Sequence, residues 1–284
     1  MLLAEDDRFV RALLNRQAGL VFDDQQAHLL ESRLTSLARQ QGLETARALV
    51  QELRARPNGS LLDSVVEALT THETSFFRDR LPFVALADAI IPELVQSRRR
   101  ERRLSIWSAG CSTGQEAYSV ALLLRERFSA LAHWQVQIQA TDVSAATIRR
   151  ARLGRFSAAE VKRGINEKLL RKYFEAVGND FVLDPAIRQM VTWSTANLAG
   201  NPPPLGIFDL VLMRNVLIYF GPEERAKILT RTAAQVASDG ALLLGVSETT
   251  FGQCEQFEPR TYCGTTVYRK VQRARRSRAP KHGP

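Results

Sequence analysis

The chain has 284 residues, 45% of them hydrophobic and 24% charged, with a formal net charge of +9. This fits one large domain, or a catalytic domain with a smaller companion, and no apolar run is long enough for a helical membrane span. Cys111, Cys254 and Cys263 form no disulfide framework, and His28, His72, His133 and His282 show no HExxH-type pairing, so no metal is expected.

The first residues are acidic and amphipathic rather than leader-like, so the expected location is cytoplasmic. Phe9, Leu13, Leu14 and Leu20 fall near one helical face. A second helix is predicted from about Asp24 to Gln41, with Leu29, Leu30, Leu34 and Leu37 as its apolar stripe and Gly42 as its stop. A third ends before Pro57, and a fourth starts near Ser60, read as an N-cap with Asp63 three residues on. A linking helix then runs to about Gln96, and Ser97 to Arg103 is a charged break.

Beyond that break, apolar runs alternate with helices. LSIWSAG, VQIQATD, MVTWSTANL, FDLVLM and GALLLG read as strands. Helices are expected after Gly114, after Ser144 and from Pro222, the last stopping at Gly240. The alternation predicts an α/β fold with a parallel sheet and ligands at the strands' carboxyl ends. From Arg269 onward come seven cations and no acid: Arg269, Lys270, Arg273, Arg275, Arg276, Arg278 and Lys281. Without those seven the +9 falls to +2, so the body is near neutral and the tail reads as disordered.

Four constellations sit at those strand ends. In Trp107-Ser-Ala-Gly-Cys-Ser-Thr-Gly-Gln-Glu116, Gly110 and Gly114 permit a tight turn and close ligand approach. The pattern is neither GxGxxG nor GxxxxGK[ST], which disfavours dinucleotide and phosphate-loop chemistry. Glu116 either faces a cationic ligand or sits as a favourable charge in a first helical turn. Asp142 suits the two hydroxyls of a ribose, or an N-cap. Asn197-Leu198 and Arg214-Asn215-Val216 offer amides that read an adenine edge or fix a loop.

Together, Thr70-Thr-His-Glu-Thr-Ser-Phe-Phe-Arg78, WSAGCSTGQEAYS, ATDVS, RNVLIYF and GVSE closely resemble the CheR-type chemotaxis protein methyltransferases, over nearly the whole chain. The resemblance implies a small all-helical N-terminal domain (1–80) and a class I methyltransferase domain (81–270) with a Rossmann-like sheet and a β-subdomain insertion near 153–193. A basic tail follows (271–284). It implies S-adenosyl-L-methionine as methyl donor, S-adenosyl-L-homocysteine as product, and glutamates on cytoplasmic helices of a methyl-accepting receptor as acceptors. His72, Thr74, Arg78, Glu116, Asp142, Asn197, Leu198, Asn215 and Val216 would then contact the cofactor, and Arg78 and Tyr219 would border methyl transfer. His72 stands where the family often has Asn. Arg33 and Arg39 would face the receptor. The short EAVGND turn, with no glycine-rich expansion, argues against tethering to a receptor pentapeptide.

The chemistry agrees with this, because a glutamate carboxylate is already ionised at neutral pH and needs no general base. Two rivals differ in class. One is a module that binds the cofactor and docks on receptors without turnover. The other is a nucleic-acid methyltransferase, because Asn201-Pro-Pro-Pro204 shares three residues with the Asn-Pro-Pro-aromatic motif of amino-methylating enzymes. Pro204 cannot stack on a flipped base, the segment precedes the fourth strand, and the body lacks a broad basic face.

Overall fold

A computed structural model of the chain describes residues 2–57, 59–70, 73–200 and 206–271. His72, the Asn201–Pro204 motif and most of the basic tail lie outside the described residues. Helices α1 (Ala4–Ala18), α2 (Ala27–Gln40), α3 (Ala46–Ala55) and α4 (Ser60–Leu69) form the N-terminal unit. Their core is a knot of aliphatic side chains, including Leu13, Leu30, Leu34, Leu49, Leu53 and Val65. Leu29, expected on the apolar stripe, is 42% exposed. Ser60 lies inside α4 rather than capping it; Gly59 occupies the cap.

The next segment, residues 73–80, is irregular. Phe77, Asp79 and Arg80 all have positive φ (48°, 67° and 51°). Non-glycine residues in that region are strained and persist only where surrounding contacts hold them. Here the Phe77 amide donates to Ser119 Oγ (2.9 Å), and the Arg78 carbonyl accepts from Arg214 (3.0 Å). The linking helix follows as α5 (Leu81–Ala85), a π-helical turn (Leu86–Ile90) and α6 (Ile91–Ser97).

The second unit interleaves β1 (Arg103–Ala109), α7 (Gln115–Arg127), β2 (Gln135–Asp142) and α8 (Ala145–Leu153). Then come β3 (Arg155–Ser157), α9 (Ala158–Lys162), α10 (Glu167–Tyr173), β4 (Phe174–Val177), β5 (Asp180–Leu183) and α11 (Pro185–Arg188). Last are β6 (Val191–Thr195), β7 (Phe208–Met213), α12 (Pro222–Gln235), β8 (Val236–Leu244), β9 (Phe257–Tyr262) and β10 (Thr265–Lys270). The main sheet has the order β6-β2-β1-β7-β8-β10-β9. The first five strands are parallel, and β10 alone runs against its neighbours. β7 is buried at every position, as a strand covered on both faces must be. Leu210 and Leu212 face one core, while Val211 and Met213 face another that also holds Trp107 and Phe208. The segment after α8 builds a separate antiparallel sheet, β3-β5-β4, whereas Val191–Trp193 belong to β6 of the main sheet.

Two local expectations change. α12 ends at Gln235, and Gly240 lies within β8, where an added Cβ would sit 2.9 Å from the Asp209 carbonyl. Arg269 and Lys270 belong to β10 rather than the tail. Arg269 is buried, paired with Glu93 and stacked 5.2 Å from the Tyr262 ring, and Lys270 donates to the Val236 carbonyl. Cys111 and Cys254 are buried, but Cys263 is exposed in the β9–β10 turn.

Candidate active site

The strand order reverses between β1 and β7, and a cleft opens beside their carboxyl ends. Thr74, Arg78, Glu116, Asp142, Asn197, Leu198, Asn215, Val216 and Tyr219 all line it. Ala18, Leu20 and Thr70 close it from the N-terminal unit. That unit is pinned in place by the Val21 amide on the Tyr219 carbonyl (2.9 Å) and by a Leu20–Phe220 bridge.

The glycine turn explains the close approach. Gly110 has φ +70°, and a Cβ there would lie 2.6 Å from Val216 Cγ2. Only a residue without a side chain lets the loops after β1 and β7 meet as they do. Asp142, at the end of β2, is held by the amides of Ser112 (2.9 Å) and Ser144 (3.0 Å). Ser144, not Asp142, caps α8. Each Asp142 oxygen keeps a further lone pair for a ligand hydroxyl.

Glu116 lies in the first turn of α7 and accepts from Ser108 Oγ (2.8 Å) and Arg214 (3.2 Å). Burial pushes its carboxyl above the usual range, partly offset by Arg214. Arg214 is 1% exposed in its side chain and also donates to Asp79 (2.7 Å). One buried guanidinium thereby joins the helix, the strained 73–80 segment and β7. Its Nε has no hydrogen-bond partner among the described residues.

Arg214 and Glu248 stand inside the sequence motifs RNVLIYF and GVSE, where nothing local assigns either a role. Glu248 accepts from the amides of Val216 (2.9 Å), Leu217 (2.7 Å) and Ile218 (3.3 Å) at Oε1, and of Asn215 (2.7 Å) and Gly245 (2.6 Å) at Oε2. This one carboxylate shapes the turn that presents Asn215 (φ 58°) and Val216 to the cleft. The available signal was an acid after a strand-end glycine, in GVSE.

Asn197 spends its amide on structure, donating to the Gln17 carbonyl (2.7 Å) and accepting from the Ala199 amide (2.9 Å). Arg33 likewise donates to the Leu69 and Thr70 carbonyls (3.2 and 3.3 Å), closing the end of α4 while remaining half-buried, and Arg39 is exposed. Arg78 donates to the Glu73 carbonyl (2.9 Å) and borders the cleft. Cys111 also lines it, but burial and nearby carboxylates push its thiol well up, against thiolate chemistry.

Such a sheet, with its single reversed strand, a glycine turn after the first strand and carboxylates at two strand ends, defines a class I S-adenosylmethionine-dependent methyltransferase. Residues 72–264 match the family described as CheR methyltransferase, SAM binding domain, and residues 5–70 match CheR methyltransferase, all-alpha domain. The chain belongs to the CheR methyltransferase family. It is 36% identical to chemotaxis protein methyltransferase Cher2 of Pseudomonas putida, over 87% of this chain and 91% of that one. It is 38% identical to chemotaxis protein methyltransferase 1 of Pseudomonas aeruginosa, over 86% and 89%. Among solved structures, a TehB-like SAM-dependent methyltransferase from Corynebacterium glutamicum aligns with a TM-score of 0.38 and 15% identity, over 69% of this chain and 96% of that one.

Proposed function

We propose that the protein transfers a methyl group from S-adenosylmethionine to side-chain carboxylates of glutamates on the cytoplasmic helices of a chemotaxis receptor, acting in the cytoplasm. The observation that carries this is one cleft at the strands' carboxyl ends holding Thr74, Arg78, Glu116, Asp142, Asn215, Val216 and Tyr219 together. An ionised carboxylate acceptor needs no general base.

The residues fit the donor. Asp142 would hold its ribose hydroxyls, and the buried Glu116 would face its cationic amino-acid end. The Asn215-Val216 backbone, Leu198 and Thr74 would enclose the rest. When bound, the donor supplies an electrophilic sulfonium methyl and leaves as S-adenosylhomocysteine. Arg78 would orient the incoming carboxylate, and Tyr219 would wall the transfer site and exclude water. Alignment of the reactants, rather than proton transfer, is the main work of the site.

No helix among the described residues is long and apolar enough to cross a membrane, which agrees with a protein that meets receptors from the aqueous side. The β4–β5 hairpin closes through Gly178 and Asn179 alone, in support of a tether-independent enzyme. Calorimetry with a receptor C-terminal pentapeptide should then show no binding, and micromolar affinity would refute that point.

The test of the function is radiolabelled methyl transfer from S-adenosylmethionine to a receptor cytoplasmic fragment, to DNA and to RNA. Label should enter the receptor alone, and Arg78→Ala should abolish it. Label in nucleic acid, or none in any acceptor, would refute the proposal.

A further inference from the structure

A second, more open cleft shares Ser75 and Arg78 with the first. α5, the π-helical turn, the end of α7 and the loop joining α9 to α10 build it. That loop is seated tightly: a Cβ on Gly164 would fall 1.9 Å from the Phe76 carbonyl. Phe77 and Phe83 meet edge to face at 5.2 Å, and with Leu123, Ile165 and Leu169 they give the cleft apolar walls. Val84, also a lining residue, is 41% exposed.

The charge of this cleft is one-sided. Arg78, Arg80, Arg127, Lys162 and Arg163 line it, against Asp79 and Asp88. Both carboxylates are engaged, Asp79 by Arg214 (2.7 Å) and Asp88 by Arg127 (2.9 Å). Arg80 and Lys162 are exposed and form no ion pair with a described residue, and Arg163 has only an exposed, 4.0 Å approach to Glu73. The folded chain therefore leaves three cations beside an apolar wall, next to the arginine that borders the transfer site.

We propose that this cleft is the docking groove for an acidic amphipathic helix, the segment of the receptor that carries the methylated glutamates. Its apolar face would lie against Phe77, Leu169 and Val84, and its carboxylates would meet Arg80, Lys162 and Arg163. A helix seated there passes Arg78, where the two clefts join, so one of its glutamates is delivered to the methyl group. Amphipathic helices bind in this way to apolar grooves with charged rims. The inference rests on the glutamate-methylating reading above.

The test separates the two readings by measuring binding apart from turnover. The probe is a fluorescein-labelled helical peptide with glutamates on one face and leucines on the other. Its affinity is measured by anisotropy on the full chain, beside steady-state kinetics on a receptor cytoplasmic fragment. The variant is Arg80→Ala with Lys162→Glu and Arg163→Glu; Val84→Asp, at an exposed position, is an independent second. Both should weaken the peptide at least tenfold and raise KM for the fragment comparably. The kcat at saturation and the affinity for S-adenosylhomocysteine should stay within twofold. Unchanged peptide affinity in both folded variants, or no binding by the wild type, would overturn the groove. So would equal competition by unstructured polyglutamate, which would mark a general polyanion site. Peptide binding that depends on the groove, in a protein that methylates no receptor, would support the groove and refute the proposed activity instead.

Discussion

Glu248→Gln would test the geometry of the site most sharply among single substitutions. The native carboxylate accepts five backbone N–H groups, three at Oε1 and two at Oε2, and is buried. A glutamine can present its carbonyl to only one set. If it keeps the three at residues 216–218, its NH2 faces the Asn215 and Gly245 amides, which then lose their acceptor. Hydrogen bonds to a charged group contribute about 1.5–3 kcal/mol each, so two lost bonds cost roughly 3–6 kcal/mol. That is a large part of a total stability of about 5–15 kcal/mol. At about 2–4 °C per kcal/mol for a chain near this size, the melting temperature should fall by about 10 °C. Because the same amides shape the turn at Asn215 and Val216, calorimetry should also show at least about tenfold weaker S-adenosylhomocysteine binding, equivalent to about 1.4 kcal/mol. A melting shift under about 2 °C with unchanged affinity would refute the view that Glu248 organises the turn.

Arg78→Ala should cut methyl transfer by at least about a hundredfold while melting within a few degrees of the wild type, because the side chain's one described hydrogen bond is to the Glu73 carbonyl; near-normal turnover would remove Arg78 from the site. Arg214→Met should lower stability by about 3–5 kcal/mol in denaturant titration, since it strips a buried cation from Glu116 and Asp79. Gly110→Ala should weaken cofactor binding through its positive φ and the Val216 clash, and adding Val216→Ala should restore part of the loss; a single variant that binds normally would contradict the cradle. The Glu116 carboxyl is raised by burial, so on acidification it takes up its proton at a higher pH than an exposed glutamate. Losing that charge should weaken a cationic ligand, so affinity should fall on entering that range, and Glu116→Gln should flatten the dependence.

What could be read from the sequence was what adjacent residues decide. The turn at Gly110 and Gly114, the aspartate ending β2 and the alternation of strands and helices all follow from neighbours in the chain, whereas Thr74, Arg78 and Tyr219 stood out only through the family resemblance, and the cleft is lined by both sets. Contacts that closure of the fold creates were not readable. Arg214 meets Glu116 across 98 positions and Asp79 across 135, so neither motif shows its partner. Asn197 carries a ligand-reading amide in sequence, yet the docked N-terminal unit takes its donor at Gln17. Gly240 resembles a helix stop, but the β-branched Val236 pairs with Phe208 and begins the strand four residues earlier. Nothing near Arg33 in the sequence shows that its guanidinium also closes the end of α4, on the Leu69 and Thr70 carbonyls 36 and 37 positions away.

The most direct measurement is mass spectrometry of peptides from a receptor cytoplasmic fragment after incubation with the enzyme and S-adenosylmethionine. A gain of one methylene on defined glutamate side chains, removed by mild base and missing with Arg78→Ala, is the expected result. Modification confined to lysine, arginine or a chain terminus, or glutamate esters formed equally well by the Arg78 variant, would contradict it.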